Sequence, residues 1–470
     1  MRLVGMNLAT AFASAAALAL AGASPAALAQ ASAGNAGATG TQPVPAKPPS
    51  GSVEKAFGDI AAQPTETVQT LPDPDPVGEW TLPQAQALLA FIPRVAAEGL
   101  NPADYKADEL RAAIARGAGA DLNVVASRVF VWLVEDLRDG KTPMDSRRQW
   151  FVVDPDADRM PTEALLDKAL AGGDIAGTLT ALNPVHPDYA RLREALARAT
   201  DPGARKLIRA NMDRWRWLGQ DLGKKYLITN VPEYQLRLTV NDKIIKNYRV
   251  VVGKPGRTAT PQLAEMVEAV IFNPTWTVPQ SIVKGEGLGA KVLGNPGWAR
   301  ANGYKGTRSE NGFVTVVQQP GPNNSLGLMK LDMPNEHAIF LHDTPSRHLF
   351  AQEQRALSHG CIRVEGAREL AMTMSMLGNA RSKADLPVIQ QEVSAITASG
   401  TYTRYPMLNQ WPVYITYFTM ATDVNGQLRS FGDIYGRDAP VLAALDAPRQ
   451  SNRARKTSEE AVEIIDDLQT

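Results

Sequence analysis

The sequence predicts an α+β multidomain chain, with a helical scaffold domain followed by a mostly β domain that carries an inserted lid. Three observations predict it. The chain has 470 residues, 44% of them hydrophobic, more than one ordinary domain needs and enough for two or three cores. From Trp80 to about Gly219 apolar residues recur at helical spacing, and from about Tyr226 they alternate in short runs. A long stretch rich in Gly and Asn then interrupts the alternating region.

Taken in order, residues 1–29 read as a cleavable export leader. Arg2 is its only charge, Leu8 to Ala23 is apolar, and Ala27-Leu28-Ala29 before Gln30 fits an A-x-A cleavage site. The apolar stretch is mostly alanine and falls short of the roughly 20 strongly apolar residues of a spanning helix, so no transmembrane segment is expected after cleavage. Residues 30–76 are rich in Ala, Gly and Pro, ending in Pro72-Asp73-Pro74-Asp75-Pro76, and read as a flexible tether.

Residues 77–221 form the predicted scaffold. Leu82, Ala85, Leu88, Leu89 and Ile92 repeat at three and four residues, as do Val129, Leu133, Val134 and Leu137. Asn101-Pro102 and Asp201-Pro202 are helix starts, and Trp132, Trp150, Trp215 and Trp217 read as packing residues.

Residues 222–395 form the predicted β domain. Tyr226–Val231, Tyr234–Val240 and Ile244–Val252 are separated by the turn signals Pro232-Glu233 and Asn241-Asp242. Val267–Phe272, Phe313–Val317, Gly327–Leu331 and Ile339–His342 continue the sheet. Within it, 284–324 is too long for an ordinary connection and reads as a lid. Residues 396–440, with a strand at Val413–Thr422, are expected as a C-terminal β extension packing on this domain, and 441–470 as a charged tail.

Lys+Arg 49 against Asp+Glu 49 and a pI near 7.0 remove the bulk-charge case for a nucleic-acid binder. Cys 1 excludes an intramolecular disulfide, a CxxC redox pair and a multi-cysteine zinc site, and only five histidines accompany it. With neither HExxH nor a Cys pair, no metal or other cofactor is expected. An exported chain with one cysteine holds it either buried and inert or as a working thiol.

The neighbourhood favours a working thiol. Cys361 lies in Ser358-His359-Gly360-Cys361-Ile362-Arg363-Val364, ahead of a helical pattern that starts near Glu365. A helix N-terminus, with His359 and Arg363 each two residues away, is expected to hold the thiol as a thiolate. Two histidines compete as its base: His359, and His342, which stands 19 residues upstream (361 − 342) at the end of the strand Ile339-Phe340-Leu341. Position in sequence does not choose between them. The backbone N–H groups of Gly360 and Cys361 are the expected oxyanion donors.

His342 and Ser358-His359-Gly360-Cys361 together resemble the signature of L,D-transpeptidases with a YkuD-type catalytic domain. Asn230-Val231-Pro232-Glu233-Tyr234, Val252-Gly253-Lys254-Pro255, Asn273-Pro274-Thr275-Trp276, Leu341-His342-Asp343-Thr344-Pro345, Tyr417-Phe418-Thr419 and Asp433-Ile434-Tyr435-Gly436 resemble its long, YcbB-like branch. The resemblance implies a periplasmic enzyme acting on peptidoglycan stem peptides. Cys361 would be the nucleophile and His342 the base, oriented by a backbone carbonyl. Ser358, His359, Gly360 and Asp343 would support the pocket.

A diaminopimelate side chain, a D-amino acid or an outer-membrane protein would accept the acyl group, and carbapenems would acylate the thiol. Arg363, Trp276, Phe340 and Tyr304 are the candidate substrate contacts, with a salt bridge to Glu365 or a surface charge as the alternative for Arg363 and core packing as the alternative for Trp276 and Phe340. The alternatives to transfer are hydrolysis, as an L,D-carboxypeptidase or amidase-like enzyme, and a non-catalytic wall-binding scaffold.

Overall fold

The computed structural model describes residues 75–450. The leader (1–29), nearly all of the tether (30–76) and the tail past residue 450 lie outside the described residues.

The first half is helical: α1 Leu82–Phe91, α2 Ala107–Arg116, α3 Ala120–Arg138, α4 Asp156–Arg159, α5 Thr162–Gly172, α6 Ile175–Thr180, α7 Pro187–Arg198 and α8 Pro202–Trp215. Local chemistry sets the starts. Thr81 caps α1 through a reciprocal bond with Gln84, and Pro83 fits the first turn. Asp201 accepts the Ala204 N–H at 2.7 Å ahead of α8. Leu88, Val129, Leu133, Val134 and Leu166 bury the stripes of α1, α3 and α5 in one core.

The sheet begins with β1 Lys225–Asn230, β2 Gln235–Val240, β3 Lys243–Gly253 and β4 Leu263–Phe272. An insertion follows. It holds β5 Trp276–Thr277, three short helices (α9 Gln280–Gly285, α10 Leu288–Gly294, α11 Pro296–Ala301), β6 Tyr304–Arg308 and β7 Val314–Gln318. These strands form their own three-stranded sheet, β5-β7-β6, over a small core of Val278, Ile282, Val283, Val292 and Val316.

The expectation that Phe313–Val317 continues the main sheet is therefore corrected, because this strand pairs with Tyr304–Arg308 and Trp276–Thr277. The lid is also better built than the Gly/Asn-rich stretch 284–324 suggests. It opens at Trp276, and residues 319–328 are its return loop.

The main sheet resumes with β8 Met329–Asp332, β9 Leu341–His342, β10 Ala356–Ser358 and β11 Ile362–Val364, followed by α12 Ala367–Asn379, α13 Leu386–Ser399 and β12 Thr403–Thr416. Its order is β10-β3-β11-β9-β8-β4-β12-β1-β2, and β2 also pairs with β3, so the sheet closes on itself. Strand β12 sits between β4 and β1. Residues 396–440 are thus not an extension packed on a finished domain, since without β12 the sheet would present two open edges.

One face of the sheet carries Val250, Val252, Val270, Phe272, Met329, Leu331, Leu341, Ile362 and Val364, packed with Leu370 and Met374 of α12. Outside the sheet, Tyr189, Leu192, Ile208, Met212 and Trp215 of α7 and α8 pack with Tyr226, Ile228 and Tyr414 of β1 and β12.

The chain then forms the hairpin β13 Met420–Thr422 and β14 Leu428–Ser430, and ends in α14 Asp438–Asp446. Val441 and Leu445 are buried beside α8, Lys141 Nζ donates to the Leu445 and Ala447 carbonyls at 2.9 Å, and Arg449 Nε pairs with Asp136 at 3.0 Å. Residues 441–450 belong to the fold and are not a solvated tail. Among the described residues no helix is long and apolar enough to cross a membrane.

Candidate active site

Register builds the site. Lys330 pairs with His342 across β8 and β9, and His342 with Arg363 across β9 and β11. Ile271 and Val251 continue this row on β4 and β3. Cross-strand partners share a face, and residues two apart along a strand share it too. The row therefore faces away from the core formed by Leu331, Leu341 and Ile362. Phe340 and Cys361, each two residues back from His342 and Arg363, stand on the same side, and the Ile362 N–H to Phe340 carbonyl bond at 3.0 Å carries the pairing to that point.

His342 is buried, with 4% of its surface exposed. Its Nδ1 bonds to the Asp343 backbone carbonyl, which assigns the proton to Nδ1 and leaves Nε2 as the basic nitrogen. The Phe340 ring meets the imidazole edge-on at 5.7 Å. The Asp343 side chain faces elsewhere: Oδ2 accepts the Leu328 N–H at 2.9 Å, and Oδ1 pairs with Arg347. It clamps the return loop of the lid, and a Cβ on Gly327 would sit 2.4 Å from its carboxylate.

The cysteine lies in a tight loop between β10 and β11. Ser358 Oγ donates to the Cys361 carbonyl at 2.6 Å and accepts the Gly360 N–H at 3.1 Å. Gly360 has φ +122, which favours glycine, and a Cβ there would crowd Ile339 Cδ1 at 3.1 Å. The Gly360 carbonyl accepts the Thr260 hydroxyl at 2.7 Å. Two expectations are corrected. The Gly360 N–H is committed to Ser358 at 3.1 Å, so of the two expected oxyanion donors only the Cys361 N–H stays a candidate. And β11 separates Cys361 from α12, which starts at Ala367, so the helix expected directly after the thiol begins beyond an intervening strand.

Comparison with known proteins bears on what this geometry belongs to. Residues 224–388 match the L,D-transpeptidase catalytic domain family, YkuD, and residues 78–196 match the Scaffold domain family. The chain carries a YkuD L,D-transpeptidase catalytic domain. A Haemophilus influenzae protein provisionally named an L,D-transpeptidase is 29% identical over 233 residues, 46% of this chain and 45% of that protein. The chain thus spans about half the length of that curated relative.

Two solved structures are also similar. One is the L,D-transpeptidase from Mycobacterium smegmatis, with 11% identity, 41% of this chain, 59% of that one and a TM-score of 0.20. The other is L,D-transpeptidase 3 from Mycobacterium tuberculosis, with 8% identity, 41% of this chain, 61% of that one and a TM-score of 0.19. At these scores the structural likeness carries no argument.

Within the L,D-transpeptidase domain, burial dominates the electrostatics. His342 is pushed down to about 3, first by desolvation and then by the Arg363 and Lys330 charges, against the pull of the Asp343 and Leu326 carbonyls. The Cys361 thiol is pushed up by desolvation, which outweighs the Phe340 backbone, Lys330 and Arg363. The expected thiolate is therefore corrected: at neutral pH the resting pair is a thiol and a neutral imidazole.

The other predicted residues divide. Phe340 lies at the site and Arg363 in the row, and Glu365 is taken by Arg249 at 2.6 and 2.7 Å, which removes the alternative partner of Arg363. His359 is 46% exposed in its side chain and meets Glu286, between α9 and α10 of the lid, at 3.0 Å.

Trp276 and Tyr304 pack on the lid's own core, Tyr304 stacked on Trp298 at 5.6 Å, rather than in the row with Cys361. Lys330, Thr260 and Glu286 escaped sequence reasoning. Only Lys330 left a signal, as the one charge between the apolar Met329 and Leu331.

Proposed function

We propose that this protein is a cysteine-dependent peptidoglycan L,D-transpeptidase of the periplasm. The observation that carries the reading is the shared face of Cys361 and His342, with the imidazole neutral and oriented through Nδ1 by the Asp343 carbonyl.

The Cys361 sulfur attacks the carbonyl carbon of the bond between an L-configured centre and the terminal D-residue of a stem tetrapeptide. As the S–C bond forms, the thiol proton passes to His342 Nε2 and the carbonyl electron pair becomes an oxyanion, met by the Cys361 N–H. The C–N bond then breaks, His342 returns the proton to the departing amine, and the D-amino acid leaves a thioester. An acceptor amine attacks that thioester, gives its proton to His342, and expels the sulfur, which recovers the proton. The acceptor is a diaminopimelate side chain of a second stem peptide, with a D-amino acid or an outer-membrane protein as the alternatives. Ser358 and Gly360 hold the loop shape this requires, and Phe340 bounds the pocket.

A neutral base supports the first step, because an imidazolium could not take the thiol proton. The leader-like segment with Ala27-Leu28-Ala29 supports export. Purified protein incubated with disaccharide tetrapeptides should form crosslinked dimers and lose this activity on Cys361→Ala with folding retained. Free tripeptide without dimer would overturn transfer in favour of hydrolysis. Intact-mass analysis after carbapenem treatment should show one adduct on Cys361.

A further inference from the structure

Lys330 and Arg363 flank His342 on its two neighbouring strands, in register on the face that carries Cys361. Two strand spacings put their Cα atoms about 10 Å apart, so both long side chains reach a small group lying in front of the imidazole. Both are partly buried, and burial lowers the proton affinity of each.

Among the described residues neither has an ion-pair partner. Asp332, two residues from Lys330, is taken by Arg404 at 2.6 Å, and Glu365, two residues from Arg363, by Arg249. Lys330 Nζ rests 4.4 Å from the Phe340 ring centroid, and Arg363 Nε is buried without a hydrogen-bond partner. The negative charges that act on Lys330 are Asp332, whose carboxylate Arg404 already holds, and the Cys361 thiolate, which desolvation disfavours. Two desolvated cations, neither with an ion-pair partner among the described residues, make a site for an anionic group.

The reaction says which anion. His342 must hand its proton to the departing amine, so that nitrogen lies beside Nε2. The α-carboxylate of the departing residue is two covalent bonds from the same nitrogen, and therefore falls between Lys330 and Arg363. We propose that Lys330 is a specificity-determining residue which, with Arg363, binds the free α-carboxylate of the donor's departing residue. The inference rests on the transpeptidase reading and deepens it. Holding that carboxylate sets the register of attack: Cys361 acts one residue from a free C-terminus, and donors blocked or extended at that end are excluded.

The test compares two tetrapeptide donors, one ending in a free carboxylate and one in the carboxamide, on the full mature chain. Wild type should prefer the free acid in kcat/KM. Lys330→Met should lose about ten- to hundredfold on the acid, the worth of one charged hydrogen bond, and much less on the amide, so that the preference collapses mainly through KM. Lys330→Arg should retain it.

Any change in thiol reactivity affects both donors alike and cancels in the ratio. Equal losses on the two donors would overturn the assignment, and so would a wild-type acid-to-amide ratio near one, which needs no variant to fold. A wild-type enzyme that neither peptide nor a carbapenem acylates would instead remove the transpeptidase reading, and this inference with it.

Discussion

Thr260 ties the end of β3 to the cysteine loop, and replacing it with valine tests that link. Its hydroxyl donates to the Gly360 carbonyl at 2.7 Å and accepts the Gly253 N–H at 2.8 Å. Its own N–H reaches the Tyr435 hydroxyl at 3.2 Å, and that hydroxyl donates to the Gly253 carbonyl at 2.6 Å. Thr260 is fully buried, at 0% exposure.

Thr260→Val keeps the shape, removes the oxygen, and strands one buried N–H and one buried carbonyl. The chain is close-packed there, since a Cβ on Gly253 would already lie 1.9 Å from the Thr258 carbonyl oxygen. At about 1–3 kcal/mol for each unmet group, less about 0.8 kcal/mol gained from a buried methyl, the loss is about 1–5 kcal/mol. It should appear as a lower urea midpoint at unchanged slope. The freed Gly360 carbonyl lets the loop shift, so carbapenem acylation of Cys361 should slow by about ten- to hundredfold in the variant that remains folded. A stability loss under about 0.5 kcal/mol would refute the hydrogen-bond argument. A full loss of stability with acylation unchanged would refute the coupling to the loop.

Four further outcomes follow from the site. Because burial raises the Cys361 thiol, iodoacetamide labelling should be slow at pH 7 and still rise past the free-thiol value of about 8.5; a plateau already reached below pH 7 would contradict this. His342, pushed down to about 3, stays neutral where an unfolded histidine of about 6.5 takes up a proton. Its contribution to stability therefore declines as pH falls below about 6.5, whereas acylation per folded molecule stays flat from pH 7 to 5; a fall centred near 6.5 would show an ordinary histidine. His342→Ala should slow acylation by about 10²–10⁴-fold and His359→Ala by less than about tenfold, since the latter's contact with Glu286 is exposed; reversed ranks in stopped-flow acylation would exchange their roles. Asp343→Asn should cost about 1–3 kcal/mol in urea unfolding yet keep acylation within about tenfold, because His342 is held by the main-chain carbonyl.

Period and composition made the helical half and most strands legible, and singled out Cys361 and His342 as candidates, since each is a local pattern in the chain. What stayed hidden depends on partners distant in sequence. Phe313–Val317 reads as a strand, but nothing local says that it pairs with Tyr304–Arg308 and not with the main sheet. Thr403–Thr416 could not be seen as interior, because its place between β4 and β1 is a matter of topology. Lys330 became meaningful only through its register with His342. The Cys361 thiol was misjudged for a physical reason: sequence shows nearby positive charges but not desolvation, which here is the larger effect.

That balance bears on how the site works at rest. A thiolate–imidazolium pair is one way to activate cysteine, but here Lys330 and Arg363 already place positive charge around His342, and a third cation would repel both. The same two charges favour a thiolate on Cys361 and oppose protonation of its base, so they lower the energy of the attacking sulfur only as the proton leaves. Burial keeps the resting thiol neutral, where it is a poor target for oxidation. The positive face is then free for an anion brought by the substrate. If a carboxylate-bearing donor fills that face, its charge offsets the two cations that hold down His342 and so strengthens the base, which would make substrate binding, rather than a standing thiolate, the event that readies the site for attack.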